Sequence, residues 1–408
     1  MPIVPPAARH LYVHVPFCAH KCEYCAFYSE AAQGELINRY VDALATELRW
    51  VPAQERPRTV FFGGGTPSLL NLRQWQAVLD VMRETGWANP LEWTVECNPA
   101  TVSLEKARLL REHGVNRVSM GVQSLDEGLL DRLGRVHSRD MAFRSFDVLR
   151  QAGFENVNVD LMFAIPGQTR DMWRRTIEEA LALGSEHLSC YEVIYEEDTA
   201  LYAQLNAGEF AVDEDLACDM YDMLIDTAGA AGFAQYEVAN FARRTGMEND
   251  RGLIPSRACA HNVNYWRGGD FHGLGPSATG YFQGVRTKNW ANTQLYCERI
   301  EAGHRPIEST ERLAGLARAG EIAAFGLRMN AGWPHDTFRA VTGFDLRRSW
   351  GADMDVLIGR GYAVDEGGVF RLTRAGLRYA DYAAELFLRP GDNAAAEREA
   401  GEPALSKV

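Results

Sequence analysis

Three cysteines, Cys18, Cys22 and Cys25, stand at the spacing C-x3-C-x2-C within HVPFCAHKCEYCAFYSE. Three thiolates set this way can hold three irons of a cubane [4Fe-4S] cluster and leave the fourth iron without a protein ligand. An open iron chelates the amino and carboxylate groups of S-adenosylmethionine. An electron passed from the reduced cluster to the sulfonium then splits a carbon–sulfur bond, giving methionine and a 5′-deoxyadenosyl radical. The protein's share of such chemistry is orientation and the exclusion of water. The competing assignment is a structural zinc site, which wants four ligands and would take His14 or His20 as the fourth. A disulfide is disfavoured by the odd number and by a reducing compartment.

Further residues of the right chemistry follow at regular intervals. GGGTP, Gly63 to Pro67, offers three positions without a side chain, where a ligand can approach the backbone and meet its N–H and C=O groups. A tight turn with no ligand is the plainer reading. Glu96 is placed to receive an ammonium or ribose hydroxyls, and Tyr24 reads either as an aromatic lid over an adenine or as a packing residue. Gln123, Arg135 and Asp160 form a further polar set, although Arg135, on an amphipathic helical stretch, also reads as a solvated charge. Cys97, Cys190 and Cys218 lie in apolar stretches and read as small buried hydrophobes.

The elements that must position these residues alternate. Strand-like runs LYVHVPF (11–17), TVFFGGG (59–65), EWTVECN (92–98), NRVSMGVQ (116–123), NVNVDLMFA (156–164) and HLSCYEVI (187–194) are separated by stretches with apolar residues three and four apart. Six βα units predict an α/β fold, a partial (βα)6 TIM-like barrel over 1–240, whose chemistry gathers at the C-terminal ends of its strands. Residues 241–309 read as a connecting segment that returns to the barrel and carries HNVNYW. Residues 310–388 read as a small α+β, winged-helix-like domain with a hairpin at Asp365, Glu366, Gly367 and Gly368, and 389–408 as a disordered tail.

The chain has 408 residues and a formal charge of −13 without a basic block, which argues against nucleic acid as a partner. The N-terminus has no signal-peptide pattern and no later window is long and apolar enough to span a bilayer, so a cytoplasmic protein is expected.

The motifs LYVHVPFCAHKCEYCAF, VFFGGGTPSLL, ECNPATV, GVNRVSMGVQSLDEGLLDRLGRVHS, NVDLMFAIPGQT, QYEVANFA and HNVNYW occur in order over residues 9 to 388. In these the chain resembles the radical-SAM family of oxygen-independent coproporphyrinogen III oxidases, most closely its HemW-like, haem-chaperone branch. The resemblance implies contacts to S-adenosylmethionine from Tyr12, Gly64, Gly65, Thr66 and Glu96. It implies a second such site from Tyr24, Gln123, Arg135 and Asp160, with looser matches at Ile194 and Thr279. Ala164 stands where the family more often has glycine, which would narrow the space beside the ligand.

Phe27, two residues after Cys25, occupies a position where the oxidase branch has a fourth cysteine, and only 17 residues precede Cys18 where oxidases carry an extension. HNxxYW, here His261, Asn262, Tyr265 and Trp266, is associated in the chaperone branch with haem. Neutral His261 can ligate haem iron, the two aromatics can face a porphyrin, and Cys259 can add a thiolate. A structural reading, in which His261 and Asn262 hydrogen-bond a closing segment before an aromatic strand, stands beside it. The implied function is a haem chaperone for respiratory proteins, with a flavodoxin- or ferredoxin-type electron donor and a homodimer as expected partners. The alternatives are coproporphyrinogen III oxidation and a HemN-like methyl transfer.

Overall fold

The computed structural model describes residues 9–31, 33–51, 57–245 and 253–388. The expected tail 389–408 and residues 246–252 of the connecting segment lie outside the described residues. Six strands run parallel in chain order: β1 (His10–Val15), β2 (Thr59–Gly64), β3 (Glu92–Cys97), β4 (Arg117–Gln123), β5 (Val157–Phe163) and β6 (His187–Glu192). At one edge β7 (Phe233–Gln235) and β8 (Asn240–Arg243) join antiparallel, β8 next to β6. At the other edge β9 (His272–Leu274), from the connecting segment, pairs parallel with β1. The two edges do not pair with each other, so the (βα)6 barrel is open.

Strand alternation decides what each face carries. In β5, Val157, Val159, Leu161 and Phe163 are buried among the apolar residues shared with the helices, while Asn158, Asp160 and Met162 turn to the barrel axis. The same parity puts Val118, Met120 and Val122 of β4 outward, with Arg117, Ser119 and Gly121 inward. Helices α1 (Gly34–Trp50), α2 (Leu72–Glu84), α3 (Leu104–Glu112), α5 (Arg139–Gln151) and α6 (Arg170–Ala182) cover the outside, while the short α4 (Glu127–Arg132) packs at the rim with Met162 and Ile165. In α2 the signals are local and complete. Asn71 and Gln74 form a capping box, and Trp75, Val78, Leu79 and Met82 fall on the buried face.

Beyond β6, α7 (Ala200–Asn206) and α8 (Glu214–Ala230) lead to the antiparallel edge, with Cys218 of α8 only half-buried, unlike Cys97 and Cys190. The HNVNYW segment, expected ahead of an aromatic strand, is a helix, α9 (Ala260–Trp266). A separate antiparallel sheet of β10 (Thr279–Phe282), β11 (Val285–Asn289) and β12 (Ile307–Glu311) follows, with α10 (Thr293–Glu301) between its last two strands. A buried carboxylate ties this segment to the barrel. Glu47 of α1 accepts hydrogen bonds from Gly275 N at 2.9 Å, Tyr296 Oη at 2.7 Å and Asn289 Nδ2 at 3.1 Å.

The C-terminal α+β domain comprises α11 (Gly315–Leu327), β13 (Trp333–Pro334), α12 (His335–Thr342), α13 (Leu346–Gly359), β14 (Ala363–Glu366), β15 (Val369–Leu372), α14 (Arg374–Leu377) and α15 (Ala380–Leu388). Its own core packs Trp333, Phe338, Trp350, Phe370 and Phe387. The hairpin turns on Gly367 and Gly368, both at positive φ, as a two-residue turn between twisted strands requires.

Ala164, just past β5, has φ +57° and does not line the central cavity. Glycine suits this position for the backbone, because an L side chain in the left-handed region costs about 1–2 kcal/mol, and not for space beside a ligand. Ala164→Gly is therefore expected to raise the unfolding free energy by about 1 kcal/mol after the entropy of glycine is subtracted. Denaturant midpoints of the two proteins check this, and an unchanged or lower midpoint contradicts it.

Candidate cluster and cofactor cavity at the barrel rim

A cavity of about 690 Å³ opens at the C-terminal ends of the strands. Its lining includes Cys18, Cys22 and Cys25 on one side and Gln123, Arg135 and Asp160 on the other, with Gly64, Gly65, Thr66, Glu96 and Tyr24 between them. The structure thus gathers the cysteines and nearly all of the sequence-derived polar residues around one space. Tyr12 and Thr279 do not line it. The hydroxyl of Tyr12 is bound 3.0 Å from His14 Nδ1, and Thr279 belongs to the separate sheet, paired with Lys288.

The cysteine loop is fastened from two directions. Gly65 N donates to Val15 O and Thr66 N to Phe17 O, both at 2.8 Å, so the GGGTP turn grips the exit of β1 just before Cys18. Glu23 N donates to Leu133 O at 3.1 Å, which docks the Cys22–Cys25 turn on the end of α4. These bonds revise the reading of the glycines. Gly64 has φ +103°, and a Cβ there would meet the His14 ring at 2.5 Å; at Gly65 it would meet the carbonyls of Val15 and Phe17 at 2.8 Å. The N–H groups of Gly64, Gly65 and Thr66 are committed to Glu96, Val15 and Phe17, so they do not face a ligand. Close packing of backbone on backbone requires the glycines, and the ligand-facing surface follows from it.

Among the described residues, no three His, Cys, Asp or Glu side chains are gathered as a single metal ion requires. The zinc reading therefore finds no preformed site, whereas a cubane takes one thiolate on each of three irons. The donor set fits the cluster further through Arg135. Its Nη1 lies 3.5 Å from Cys22 Sγ and its Nη2 donates to Gly121 O. Arg135 is in the loop after α4 and not on a helix, and these contacts and its place in the cavity wall make it part of the site and not a solvated surface charge. When bound, the cluster supplies an electron and an open iron; the chain's residues orient what lies beside it.

Tyr24 has a place in both a packed cluster and the cavity wall. It packs against Leu129, Leu133, Met162 and Ile165 and also faces the cavity, and burial raises its phenol well above the ordinary value. Gln123 closes β4 at φ +67°, where the register with β5 shifts by one residue. A non-glycine side chain held in that region marks a strained position, here aimed into the cavity. Asp160 is engaged by Asn158 Nδ2 at 2.6 Å and Ser119 Oγ at 3.1 Å, and burial raises its pKa. Ile194, at the mouth, is 67% exposed.

His261 is at the other end of the barrel. It is 8% exposed, its Nδ1 is 2.7 Å from Thr59 Oγ1, and its backbone N donates to Glu92 Oε1 at 2.9 Å. Burial lowers its pKa to about 3, so the ring is neutral. Thr59 and Glu92 begin β2 and β3, so α9 plugs the base of the barrel. Ligation of haem iron by His261 requires that helix to withdraw. Cys259 offers no thiolate there: burial pushes its thiol up to about 12, and Sγ donates to Glu92 Oε1 at 3.4 Å. Tyr265 and Trp266 pack on Phe325 of α11, joining barrel and C-terminal domain, although Tyr265 stays 41% exposed.

Sequence reasoning missed Arg117, Ser119 and Asn158, which line the lower part of the cavity beside Asn262 of the HNxxYW motif. The signal was present in NRVSMGVQ and NVNVDLMF, where polar residues recur at every second position of a strand.

Burial, and next the charge of Asp160, raise the Glu96 carboxyl from 4.5 to about 8. Between those values the folded state holds a proton that the unfolded chain has lost, so this group's contribution makes folding less favourable as pH rises. Relative to Glu96→Gln, the ligand-free wild type is expected to lose stability from pH 4.5 to 8. Denaturant midpoints of both proteins across that range measure it; parallel pH profiles would contradict the assignment.

The model of the Radical SAM superfamily matches residues 12–180. The chain is 34% identical over 344 residues to the heme chaperone HemW of Bacillus subtilis (strain 168), covering 83% of this chain and 88% of that protein. With the heme chaperone HemW of Escherichia coli (strain K12) it shares 31% over 386 residues, 93% of this chain and 97% of that one. The radical S-adenosyl methionine domain-containing protein 1, mitochondrial, of Danio rerio is 33% identical over 80% of this chain and 74% of its own length. The structure of coproporphyrinogen III oxidase (HemN) from Escherichia coli superposes with a TM-score of 0.78 at 20% identity, over 93% of this chain and 89% of that one. That likeness establishes a common fold, the open α/β barrel followed by a C-terminal domain. Kinship of this extent makes the chain a member of the HemW family within the radical-SAM superfamily.

Proposed function

We propose that this protein is a haem chaperone, which carries a [4Fe-4S] cluster and S-adenosylmethionine and hands haem to respiratory haem proteins. The observation that carries the reading is identity of 31–35% over most of the chain to proteins named heme chaperone HemW. The cavity supports it with an apolar lip. Phe27 is 70% exposed, Ile194 67% and Val136 49%, all at the mouth. Exposed apolar groups around a concavity suit a partly apolar, planar ligand.

In this reading Cys18, Cys22 and Cys25 hold the cluster. Gly64, Gly65, Thr66 and Glu96 face one S-adenosylmethionine, and Tyr24, Gln123, Arg135 and Asp160 border the rest of the cavity. The bound cofactors modulate dimerisation or haem transfer, and a flavodoxin- or ferredoxin-type protein supplies the electron. A cytoplasmic protein that reaches the membrane peripherally suits the task; among the described residues no helix is long and apolar enough to cross one. The retained group of Tyr24, Gln123, Arg135 and Asp160 favours one competing reading, oxidative decarboxylation of coproporphyrinogen III. Anaerobic incubation with that substrate, scored for protoporphyrinogen, separates the two.

Cluster-loaded protein titrated anaerobically with haem should develop a saturable Soret band, and absence of uptake sinks the chaperone reading. His261→Ala is expected to leave that uptake unchanged while costing about 1–3 kcal/mol of stability, because a buried ring packed against Phe61 and Phe271 is lost and Thr59 keeps only its bond to His10. Loss of haem binding at full stability would instead make His261 the iron ligand.

A further inference from the structure

Arg117 begins β4 and points into the barrel, where it lines the floor of the cavity. It is 2% exposed, yet among the described residues it forms no ion pair. Its single hydrogen bond runs from Nη1 to Thr94 Oγ1 at 3.4 Å, and Nε has no partner. The nearby acids are taken. Glu92 accepts from Ala260 N and His261 N, and Asp160 from Asn158 and Ser119. A guanidinium stays charged; the nearby Glu92 and Asp160 favour that charge, but neither carboxylate meets it, which leaves most of its N–H donors for an anion in the working state. The planar fork of Arg117 matches a carboxylate, with Asn158 and Asn262 also lining this part of the cavity.

We propose that Arg117 is a carboxylate-binding residue at the cavity floor, which anchors the acid group of the molecule occupying the cavity. Two sources carry that chemistry: a propionate of haem, which rests on the chaperone reading above, and the amino-acid carboxylate of a second S-adenosylmethionine, one not chelated to the open iron, which does not. The site lies one layer below the row of Glu96, Ser119 and Asn158. An apolar lip above and a fixed cation below make the cavity amphipathic.

The test uses the cluster-loaded full chain, wild type and Arg117→Met, with two pairs of probes: haem and its dimethyl ester, and S-adenosylmethionine and its decarboxylated analogue. For at least one pair the wild type should bind the acid about tenfold or more tightly than the neutral form, and Arg117→Met should remove that preference by weakening the acid alone. Haem discrimination identifies a propionate; discrimination in the second pair alone identifies the amino acid. If the wild type takes up no haem in either form, the chaperone reading fails and the second pair still judges Arg117. Equal binding of acid and neutral forms in both pairs overturns the proposal. A structural counter-ion would behave differently. Ligand-free Arg117→Met should melt at or above the wild-type temperature; a marked drop, or failure to fold, makes Arg117 a structural charge and also overturns the proposal.

Discussion

The grip of the GGGTP turn on the exit of β1 is the contact on which the rest of the site depends. Two backbone hydrogen bonds, from Gly65 and Thr66 to Val15 and Phe17, hold the start of the cysteine loop against the rim. They form because the positions of Gly64 and Gly65 carry no Cβ, which leaves room for the His14 ring and for the carbonyls of β1. Any side chain there would push the turn away from Cys18. Everything ligand-facing on this side, including the Glu96 carboxylate that accepts from Gly64 N, inherits its position from that packing.

The barrel interior then sets the electrostatics. The chain as a whole is acidic, but burial raises the carboxyls of Glu96 and Asp160 while Arg117 and Arg135 keep their charge. The cavity is therefore less negative than the composition suggests, and its two arginines stand at different levels. Arg135 stands beside Cys22, near the place of a cluster. Arg117 sits on the floor, paired with no acid among the described residues.

The base of the barrel is a joint. Glu92, at the start of β3, receives the first N–H groups of α9, an acid placed where the helix dipole favours one. His261 braces the same helix on Thr59, and Tyr265 and Trp266 pass the contact on to α11. A hydrogen-bonded line also runs upward from here. Tyr236 Oη accepts from Cys259 N and meets His187 Nε2, whose Nδ1 meets Asn158, the neighbour of Asp160. The base and the cavity thus share one polar framework, and the HNxxYW residues build its lower end.

The cysteine spacing, the six βα units and the hairpin at Gly367–Gly368 were legible because each depends on local order: a ligand spacing, a periodicity, a turn that demands positive φ. Most of the polar rim, from Glu96 to Asp160, was legible for the same reason, since strand ends can be counted. The duties of individual residues were not. Whether His261 faces a ligand or a neighbour, whether Arg135 is solvated or lies against Cys22, and whether a glycine admits a cofactor or a carbonyl are decided by contacts across tens to hundreds of residues. Arg117 shows the division most clearly. Its parity in β4 was written in the sequence, but only the assembled barrel places both nearby acids in the service of other donors and leaves its guanidinium facing the cavity.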